Sequence, residues 1–382
     1  MDLSQLTRVV SPTLSRELYM RAKQYDDVID FTLGDPDIPT PDGISDVAIQ
    51  SLAQGKTRYV PNAGVPELRR AVAEKESKHS GLPYSEENVL ITVGATEAVY
   101  LAFMALLNPG DEVLILAPYW VQYENIVKLF GGKPVIVDDY SIGFEPSLSS
   151  IEARISEKTK AIVVNSPNNP SGYVYSSSFM RGLGLIAQKK AIYILADEVY
   201  RSLIFEGEYD SISRCSPMQQ LVLLNSFSKQ FAMTGWRVGY MVAHKDIIDA
   251  AVKFQQNIAV CVPSISQYAA LEALRKEQFY AEQIKAIFCK RRESLLSLLQ
   301  DCKGITCDAP RGTFYAFLNI SALGMKSMEF ACSLLDKAQV ALIPGVAFGG
   351  AFDKYVRLAF TLNESKIEKG LFRLNQFVDS LS

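Results

Sequence analysis

The feature that most constrains the fold of this chain is a series of seven short runs of β-branched and apolar residues, separated by helical or loop stretches. Most of these runs are continuously apolar, which is typical of strands covered on both faces of a sheet. Segments between them, such as Glu97–Leu107 and Phe179–Lys189, have helical periodicity. This alternation predicts an α/β fold with a mostly parallel seven-stranded sheet between helices. The predicted strands are 89–93, 112–116, 134–137, 160–164, 191–196, 221–225 and 238–243.

The C-terminal part of the chain follows a different pattern. A long helical stretch over 276–302 precedes a strand at 313–319, a helix at 326–338 and a strand at 355–360. This order predicts a separate, smaller α+β unit. The first 40 or so residues are proline-rich near Asp35–Pro39, and we expect them to cross to this unit. We therefore predict an N-terminal arm that forms part of the small domain (1–40), a large domain (41–285) and a small C-terminal domain (286–382).

Composition argues against several classes of protein. The formal net charge is -3, whereas a nucleic-acid-binding surface needs clustered positive charge. No run of 18 or more apolar residues occurs, so we predict no membrane-spanning helix. The first residues, from Met1 to Gln5, lack the charged and apolar regions of a secretory signal. The six cysteines form no Cys-x-x-Cys pair, which favours free thiols in a reducing compartment, and we expect a cytoplasmic protein.

Histidine is scarce in this chain. The two histidines, His79 and His244, are 165 positions apart, which argues against a histidine-based metal site, and we predict no metal. The same scarcity argues against catalysis by Ser/His/Asp or Cys/His arrangements. Another group must therefore move any protons.

Two clusters of small and turn-forming residues follow predicted strands. Val93–Ala98 joins a strand to a helix through small residues, and such a helix N-terminus exposes backbone N–H groups to an anion, ideally a phosphate. The alternative is an ordinary strand–helix turn with a threonine cap. Asn165–Gly172 places two asparagines between prolines at a strand end, where ligands bind in such sheets. Rigid amide groups there suit a phenolic oxygen or a carboxylate, although the segment could also be only a turn.

Two further clusters contain charged residues at strand ends. Asp197, within Ala196–Tyr200, could lie beneath a heteroaromatic nitrogen and keep it protonated, or could simply cap a helix. Lys229 lies within Asn225–Tyr240, next to Ser228, and Arg237 follows it by eight positions. A lysine with a cationic neighbour loses its proton more easily and becomes a competent imine former. Arg237 offers a planar fork for a phosphate. The alternative for Lys229 is an ordinary solvated surface lysine.

Together these clusters resemble class I/II aminotransferases, which are pyridoxal-phosphate-dependent enzymes of fold type I, and among them the aspartate and aromatic aminotransferases. The joint spacing carries the resemblance, because Asp197 follows Asn169 by 28 positions and precedes Lys229 by 32. The similarity runs through nearly the whole chain, from Leu33–Asp37 to Gly345–Gly349 and Val356–Leu358. It implies the fold-type-I architecture, with a large α/β domain and a smaller α+β domain formed by both chain termini.

The resemblance implies pyridoxal 5′-phosphate as the cofactor. Lys229 would hold it as a Schiff base and would then move the proton that leaves the substrate Cα. Asp197 would pair with the pyridinium nitrogen, while Tyr200 and Asn169 would hold the phenolic oxygen of the ring. The remaining expected contacts are Trp120 on the ring face and, around the phosphate, Ala95, Thr96, Ser226, Arg237 and Tyr59, the last from a neighbouring subunit of a homodimer.

The resemblance also implies how substrate is bound. Arg357 would bind the α-carboxylate, supported by the Gly34 backbone and the Asn169 side chain, with Trp120 nearby. Arg357 otherwise lies in an apolar strand, where an unpaired guanidinium is costly to bury. The implied reaction is a ping-pong transamination between an L-amino acid, with aspartate or an aromatic amino acid as the best candidates, and a 2-oxo acid such as 2-oxoglutarate. Some relatives place a second arginine for dicarboxylates around Asn257–Pro263, and this chain has none there, which weakens an aspartate-only interpretation.

Two alternatives remain at this point. The same scaffold supports carbon–sulfur β-lyases and other pyridoxal-phosphate chemistry that keep the lysine and the aspartate. The run Met233–Arg237 looks more like aminotransferases, which favours amino transfer. A non-enzymatic regulator that senses the cofactor usually carries a fused DNA-binding helix pair, and the N-terminal segment here is too short for one.

Overall fold

The computed structural model describes residues 2–10 and 12–381, so residues 1 and 382, at the ends of the predicted domains, lie outside the described residues. Helices and strands alternate through most of this part of the chain. The helices are α1 (Leu14–Ala22), α2 (Asp42–Ala53), α3 (Pro66–Ser80), α4 (Gly94–Leu106), α5 (Gln122–Leu129), α6 (Leu148–Arg154), α7 (Ser177–Lys190), α8 (Phe227–Gln230), α9 (Lys245–Ile258), α10 (Ser264–Arg275), α11 (Glu277–Leu299), α12 (Ser327–Ala338) and α13 (Glu364–Asp379). The strands are β1 (Ile29–Asp30), β2 (Val89–Thr92), β3 (Glu112–Leu116), β4 (Lys133–Val137), β5 (Tyr140–Ile142), β6 (Glu145–Pro146), β7 (Thr159–Asn165), β8 (Tyr193–Asp197), β9 (Leu221–Ser226), β10 (Gly239–Ala243), β11 (Thr306–Cys307), β12 (Tyr315–Asn319), β13 (Val340–Ala341), β14 (Ile343–Pro344) and β15 (Tyr355–Ala359).

The central sheet contains seven strands in the order β2-β10-β9-β8-β7-β3-β4. Strand β10 runs antiparallel to both of its neighbours, and the other pairs are parallel. Each of the seven strands predicted from the apolar runs is a strand of this sheet. The predicted α/β fold with a mostly parallel seven-stranded sheet is confirmed.

The continuous apolar runs are explained by burial on both faces of this sheet. In β3, Val113 and Ile115 pack in a cluster with α4 and α9, whereas Leu114 and Leu116 pack in a cluster with α7. A strand that is covered on one face only would alternate apolar and polar residues. Helices on both sides of the sheet therefore account for the absence of alternation in its strands.

A second, antiparallel sheet follows in the C-terminal part, with the order β11-β12-β15-β14. Helices α11, α12 and α13 pack with it around one large apolar cluster. The N-terminal segment joins this unit, because Ile29 of β1 pairs with Val340 of β13. The predicted smaller α+β unit formed by both chain termini is thus present, while the domain boundaries stay predictions. Within the described residues, no helix combines the length and the apolar composition needed to cross a bilayer.

Candidate active site

A pocket of about 280 Å³ lies at one edge of the central sheet. Asn165, Asp197 and Ser226 are the last residues of β7, β8 and β9, and parallel strands bring their carboxyl ends to the same edge. The antiparallel β10 begins at this edge, where Gly239 pairs with Ser226. The fold thereby gathers residues that are far apart in sequence, and the pocket lining includes the predicted residues Gly34, Ala95, Thr96, Trp120, Asn169, Asp197, Tyr200, Ser226, Lys229, Arg237 and Arg357.

Lys229 lies on the single-turn helix α8, directly after β9. The side chain of Ser226 caps this helix by accepting a hydrogen bond from the Ser228 N–H at 3.1 Å. The Lys229 Nζ donates to the Gly34 carbonyl oxygen at 2.7 Å. Burial lowers the pKa of Lys229 to about 8, with Asp35 opposing the shift and with Arg237 and Arg357 adding to it. At pH 7, roughly a tenth of this amine is therefore unprotonated.

Asp197 is a buried carboxylate that has no cationic partner among the described residues. It accepts a short hydrogen bond from the Tyr123 hydroxyl and a longer one, of 3.3 Å, from the Val199 N–H. Burial raises the pKa of Asp197 to about 6, although the hydrogen bond from Tyr123 opposes the shift. A cation placed against this carboxylate would favour its ionised form. The position therefore suits a ligand with a protonated nitrogen.

Arg357, on β15, is a buried guanidinium whose partners are uncharged. It donates to the Asn169 Oδ1 at 3.0 Å and to the Thr32 carbonyl oxygen, and its Nε has no hydrogen-bond partner in the described part of the chain. Its guanidinium carbon is 4.4 Å from the centre of the Tyr315 ring. Burial lowers the pKa of Arg357, while the Tyr315 and Tyr200 hydroxyls oppose the shift. An anionic ligand would supply the charge partner that is absent among the described residues.

The hydroxyl of Tyr200 lies in the same part of the pocket as Arg357. It is 3.2 Å from the Tyr315 hydroxyl, and burial raises the pKa of Tyr200, with Tyr315 adding to the shift. Tyr200 is therefore a neutral hydroxyl that can donate a hydrogen bond at physiological pH. Because the Asn169 Oδ1 accepts from Arg357, the NH2 group of Asn169 is left as a second donor.

The opposite end of the pocket has the geometry of an anion site. The N-terminus of α4 begins at Gly94, and Arg237 lies so close that a Cβ on Gly94 would be 2.4 Å from the Arg237 Nη2. Gly94 has a φ of +72°, in the left-handed region that favours glycine. Arg237 is exposed at the pocket mouth and donates to the Thr234 carbonyl oxygen at 2.9 Å. Backbone N–H groups, the helix dipole and a guanidinium together favour a phosphate here.

Tyr123 is a site residue that was not found from the sequence. Tyr123 contacts Asp197 although the two are 74 positions apart. Its ring also packs edge-on against Trp120, with ring centroids 5.2 Å apart. The available signal was its position, three residues after Trp120, on the helix that begins just beyond it.

Tyr59 is the predicted site residue that does not line the pocket. Its side chain is 85% exposed in the single chain. An inter-subunit contact cannot form within one chain, so this assignment stays a prediction. The segment Asn257–Pro263 is also absent from the pocket lining. Within the part of the chain that the structure describes, no group of three or more His, Cys, Asp and Glu side chains could hold a metal ion.

Residues 26–374 match the family model for aminotransferase class I and II. The chain belongs to this family. The aminotransferase is 39% identical to the aspartate aminotransferase of Pyrococcus horikoshii over 368 residues, which cover 95% of this chain and 94% of that protein. It is 37% identical to the aspartate/prephenate aminotransferase of Thermus thermophilus, with 97% of each chain covered.

Solved structures agree with this assignment. The aspartate aminotransferase from Thermus thermophilus with maleate superposes on this aminotransferase with a TM-score of 0.94 at 36% identity, covering 99% of this chain and 100% of that chain. The aspartate aminotransferase from Rhizobium meliloti gives a TM-score of 0.95 at 30% identity over the full length of both chains. The predicted family, fold and enzyme class are confirmed: this chain is an aminotransferase, and its substrates are small amino and oxo acids.

Proposed function

We propose that this aminotransferase holds pyridoxal 5′-phosphate in the pocket on Lys229 and transfers the amino group of an L-amino acid to a 2-oxo acid by a ping-pong mechanism. The observation that carries the proposal is the lining of one cavity by Lys229, Asp197 and Arg357. None of the three belongs to an ion pair with another described residue. Buried charges without a partner are costly, so Asp197 and Arg357 in one pocket, beside the partly buried Lys229, indicate a ligand with complementary groups.

The residues present fit each part of this cofactor. Asp197 is a buried carboxylate that lacks a cation and would pair with the protonated ring nitrogen. The N-terminus of α4, with Ala95 and Thr96, would bind the phosphate together with Ser226 and Arg237. Trp120 would cover the ring face, and Tyr200 with Asn169 would donate to the phenolic oxygen. When bound, pyridoxal phosphate supplies an electron sink for negative charge at the substrate Cα.

The protein groups would orient the substrate and move its proton. The fork of Arg357 would bind the α-carboxylate in a bidentate manner, which fixes the direction of the Cα–H bond. Asn169 would hold that fork in place by accepting from it. The Lys229 Nζ would take up the proton from the substrate Cα and pass it on to the cofactor, and a pKa of about 8 for the free amine suits proton transfer near neutral pH. Gly34, whose carbonyl oxygen accepts from this amine, would steady its position.

The donor that we propose is aspartate or an aromatic amino acid, with 2-oxoglutarate as an acceptor. Relatives named aspartate aminotransferase and aspartate/prephenate aminotransferase support these candidates. Apolar and aromatic side chains in the pocket lining, including Leu33, Trp120 and Phe348, would contact an aromatic donor. Thr13, Ser15 and Gln122 add polar groups to the same lining and would contact a carboxylate donor.

We further infer a homodimer in which Tyr59 reaches the phosphate of the neighbouring site. Large apolar side chains are exposed near Tyr59, among them Leu52 on α2 and Ile258 at the end of α9. These segments adjoin, because Asn62 donates to the Val260 carbonyl oxygen at 2.7 Å. A second copy of the chain would cover this apolar surface.

Within each subunit, we propose that residues 1–40 and 286–382 form a small domain that closes over the substrate and excludes water. Arg357 belongs to the second of these segments and Lys229 to the large domain, so closure would bring together the groups that bind the carboxylate and move the proton. We also propose a cytoplasmic location, since the six cysteines are all unpaired.

The proposal is tested by the absorbance spectrum of purified protein loaded with pyridoxal phosphate, before and after a panel of L-amino acids is added without an oxo acid. We expect the band of the bound aldehyde form to disappear and the band of the amine form to grow, most rapidly with the true donor. Ammonia that accumulates while the first band persists would contradict amino transfer and support a lyase. Protein that takes up no chromophore would contradict the cofactor assignment.

A further inference from the structure

A buried polar network lies behind the pocket and includes the chain neighbours of three pocket residues. Asp197, Tyr200 and Lys229 line the pocket, whereas the residues that follow them do not. Those next residues are Glu198, Arg201 and Gln230. We call these three residues, together with the polar side chains that they contact directly or through one another, the α3 network. Its other members are Lys75, Glu76 and His79 on α3, Ser211 in the loop after β8, Tyr240 on β10 and Glu277 on α11.

The first half of the α3 network is an ion cluster around Arg201. Its Nη1 is 2.7 Å from the Glu76 Oε2 and 3.1 Å from the Glu198 Oε2. Glu76 is fully buried and also accepts from the Tyr240 hydroxyl at 2.6 Å. Although burial raises the pKa of Glu76, the attraction and hydrogen bonds of Arg201 bring it down to about 2. Glu198 is held further by the His79 Nε2 at 3.2 Å and by the Ser211 hydroxyl.

The second half reaches the lysine side of the pocket. The Lys75 Nζ is 2.6 Å from the Glu277 Oε1 and 3.3 Å from the Gln230 Oε1. Gln230 in turn donates to the Glu277 Oε1 at 2.6 Å. Because Lys75 and Glu76 are consecutive on α3, one helix connects the segment that carries Lys229 with the segment that carries Asp197 and Tyr200.

We propose that the α3 network is a positioning device for amino transfer, with Arg201 and Glu76 as positioning residues that set the placement of Asp197 and Tyr200. Arg201 contacts Glu198 and is itself the next residue after Tyr200, so its ion pairs fix both ends of the turn from Asp197 to Tyr200. The inference rests on the proposed function, because it assumes that these two side chains contact the cofactor. A displacement of about 1 Å at such groups can cost on the order of 100-fold in rate.

The test compares Arg201→Lys and Glu76→Gln with a matched control, Arg292→Lys, in the enzyme loaded with pyridoxal phosphate. Arg292 has the same 9% side-chain exposure as Arg201 and pairs with Glu206 at 2.6 Å, away from the pocket lining. In the two network variants we expect kcat to fall by about 10- to 100-fold. We also expect the pH midpoint of the bound cofactor's absorbance to shift and its dissociation constant to rise. The control should leave all three quantities unchanged.

A purely structural role would lower the melting temperature of the network variants and leave these readouts at their wild-type values in the folded fraction. That result would overturn the inference. If neither network variant folds, Tyr240→Phe gives the same comparison, since it removes only the hydroxyl that donates to Glu76. Wild-type readouts in that folded variant would equally overturn the inference. Failure of the wild-type protein to bind pyridoxal phosphate at all would instead overturn the proposed function, and the inference with it.

Discussion

Lys229 is the residue whose chemistry depends most directly on its surroundings. Burial lowers its pKa to about 8 from an ordinary value of 10.5. Only the unprotonated amine attacks an aldehyde, so the rate of cofactor uptake by the apoprotein should rise with pH and level off above the folded-state pKa. We predict a midpoint near 8 when colour formation with pyridoxal phosphate is followed by stopped-flow absorbance. A midpoint near 10.5 would show that the amine behaves as an ordinary exposed lysine.

The guanidinium of Arg357 gives a second prediction for a single residue. Arg357→Lys keeps a positive charge but removes the planar fork, so one of two charge-assisted hydrogen bonds to the α-carboxylate should be lost. Such a bond contributes about 1.5–3 kcal/mol, which corresponds to about 10- to 150-fold in kcat/KM. Arg69→Lys is the control, because Arg69 also donates to backbone carbonyl oxygens but does not line the pocket. Initial rates at varied donor concentration give kcat/KM for each variant. Equal values for Arg357→Lys and Arg69→Lys would contradict the proposed binding of the α-carboxylate by Arg357.

The site residues that could be predicted from the sequence belong to local motifs, and their roles stay predictions. Asp197, Asn169 and Lys229 follow strand ends within short runs that suggest their chemistry. Tyr123 lacks such a motif, because its contact with Asp197 depends on how α5 packs against β8. Tyr59 depends on a second chain, and its role stays a prediction.

At the scale of elements, the seven strands of the central sheet were predictable because burial on both faces leaves continuous apolar runs. The contacts of α3 were not predictable, since they depend on which polar side chains meet in the folded interior. Glu76 and Arg201, for example, are 125 positions apart and form an ion pair through tertiary packing alone. The same limit applies to the close approach of Gly94 and Arg237 across two strand ends.

The turn between β2 and α4 gives a prediction at this scale. Gly94→Ala adds a Cβ that would lie 2.4 Å from the Arg237 Nη2, so the guanidinium must move away from the proposed phosphate site. Gly81→Ala is a matched control, because Gly81 has a similar positive φ of +79° but no atom within 4 Å of the added carbon. Both variants should lose about 1–2 kcal/mol of stability from backbone strain.

Only Gly94→Ala should also weaken cofactor binding. Loss of one charge-assisted contact, at about 1.5–3 kcal/mol, predicts a dissociation constant at least about tenfold higher, measured by equilibrium dialysis. Equal dissociation constants for the two variants would show that Arg237 does not bind the phosphate.

For the whole molecule, we predict that a charge on the apolar surface near Tyr59 separates the homodimer into monomers. Leu52→Asp places a charge on the exposed apolar surface near Tyr59 and should disrupt the homodimer. Leu185→Asp is the control, because Leu185 is also exposed but lies on α7, which packs in a different apolar cluster from α2. Sedimentation velocity should show a monomer for the first variant and a dimer for the second. The monomer should also bind pyridoxal phosphate more weakly, since it lacks Tyr59 of the neighbour. A wild-type monomer, or a dimer that persists in Leu52→Asp, would contradict this arrangement.

The most direct test of the proposed function is to find the lysine that carries the cofactor. Protein loaded with pyridoxal phosphate is reduced with borohydride, which makes the bond to the lysine permanent, and the digested peptides are sequenced by mass spectrometry. We predict a single modified lysine, Lys229, and no modification there when an amino-acid donor is added before the reduction. Modification of another lysine, or an unmodified Lys229 in protein that is visibly loaded, would contradict the central claim.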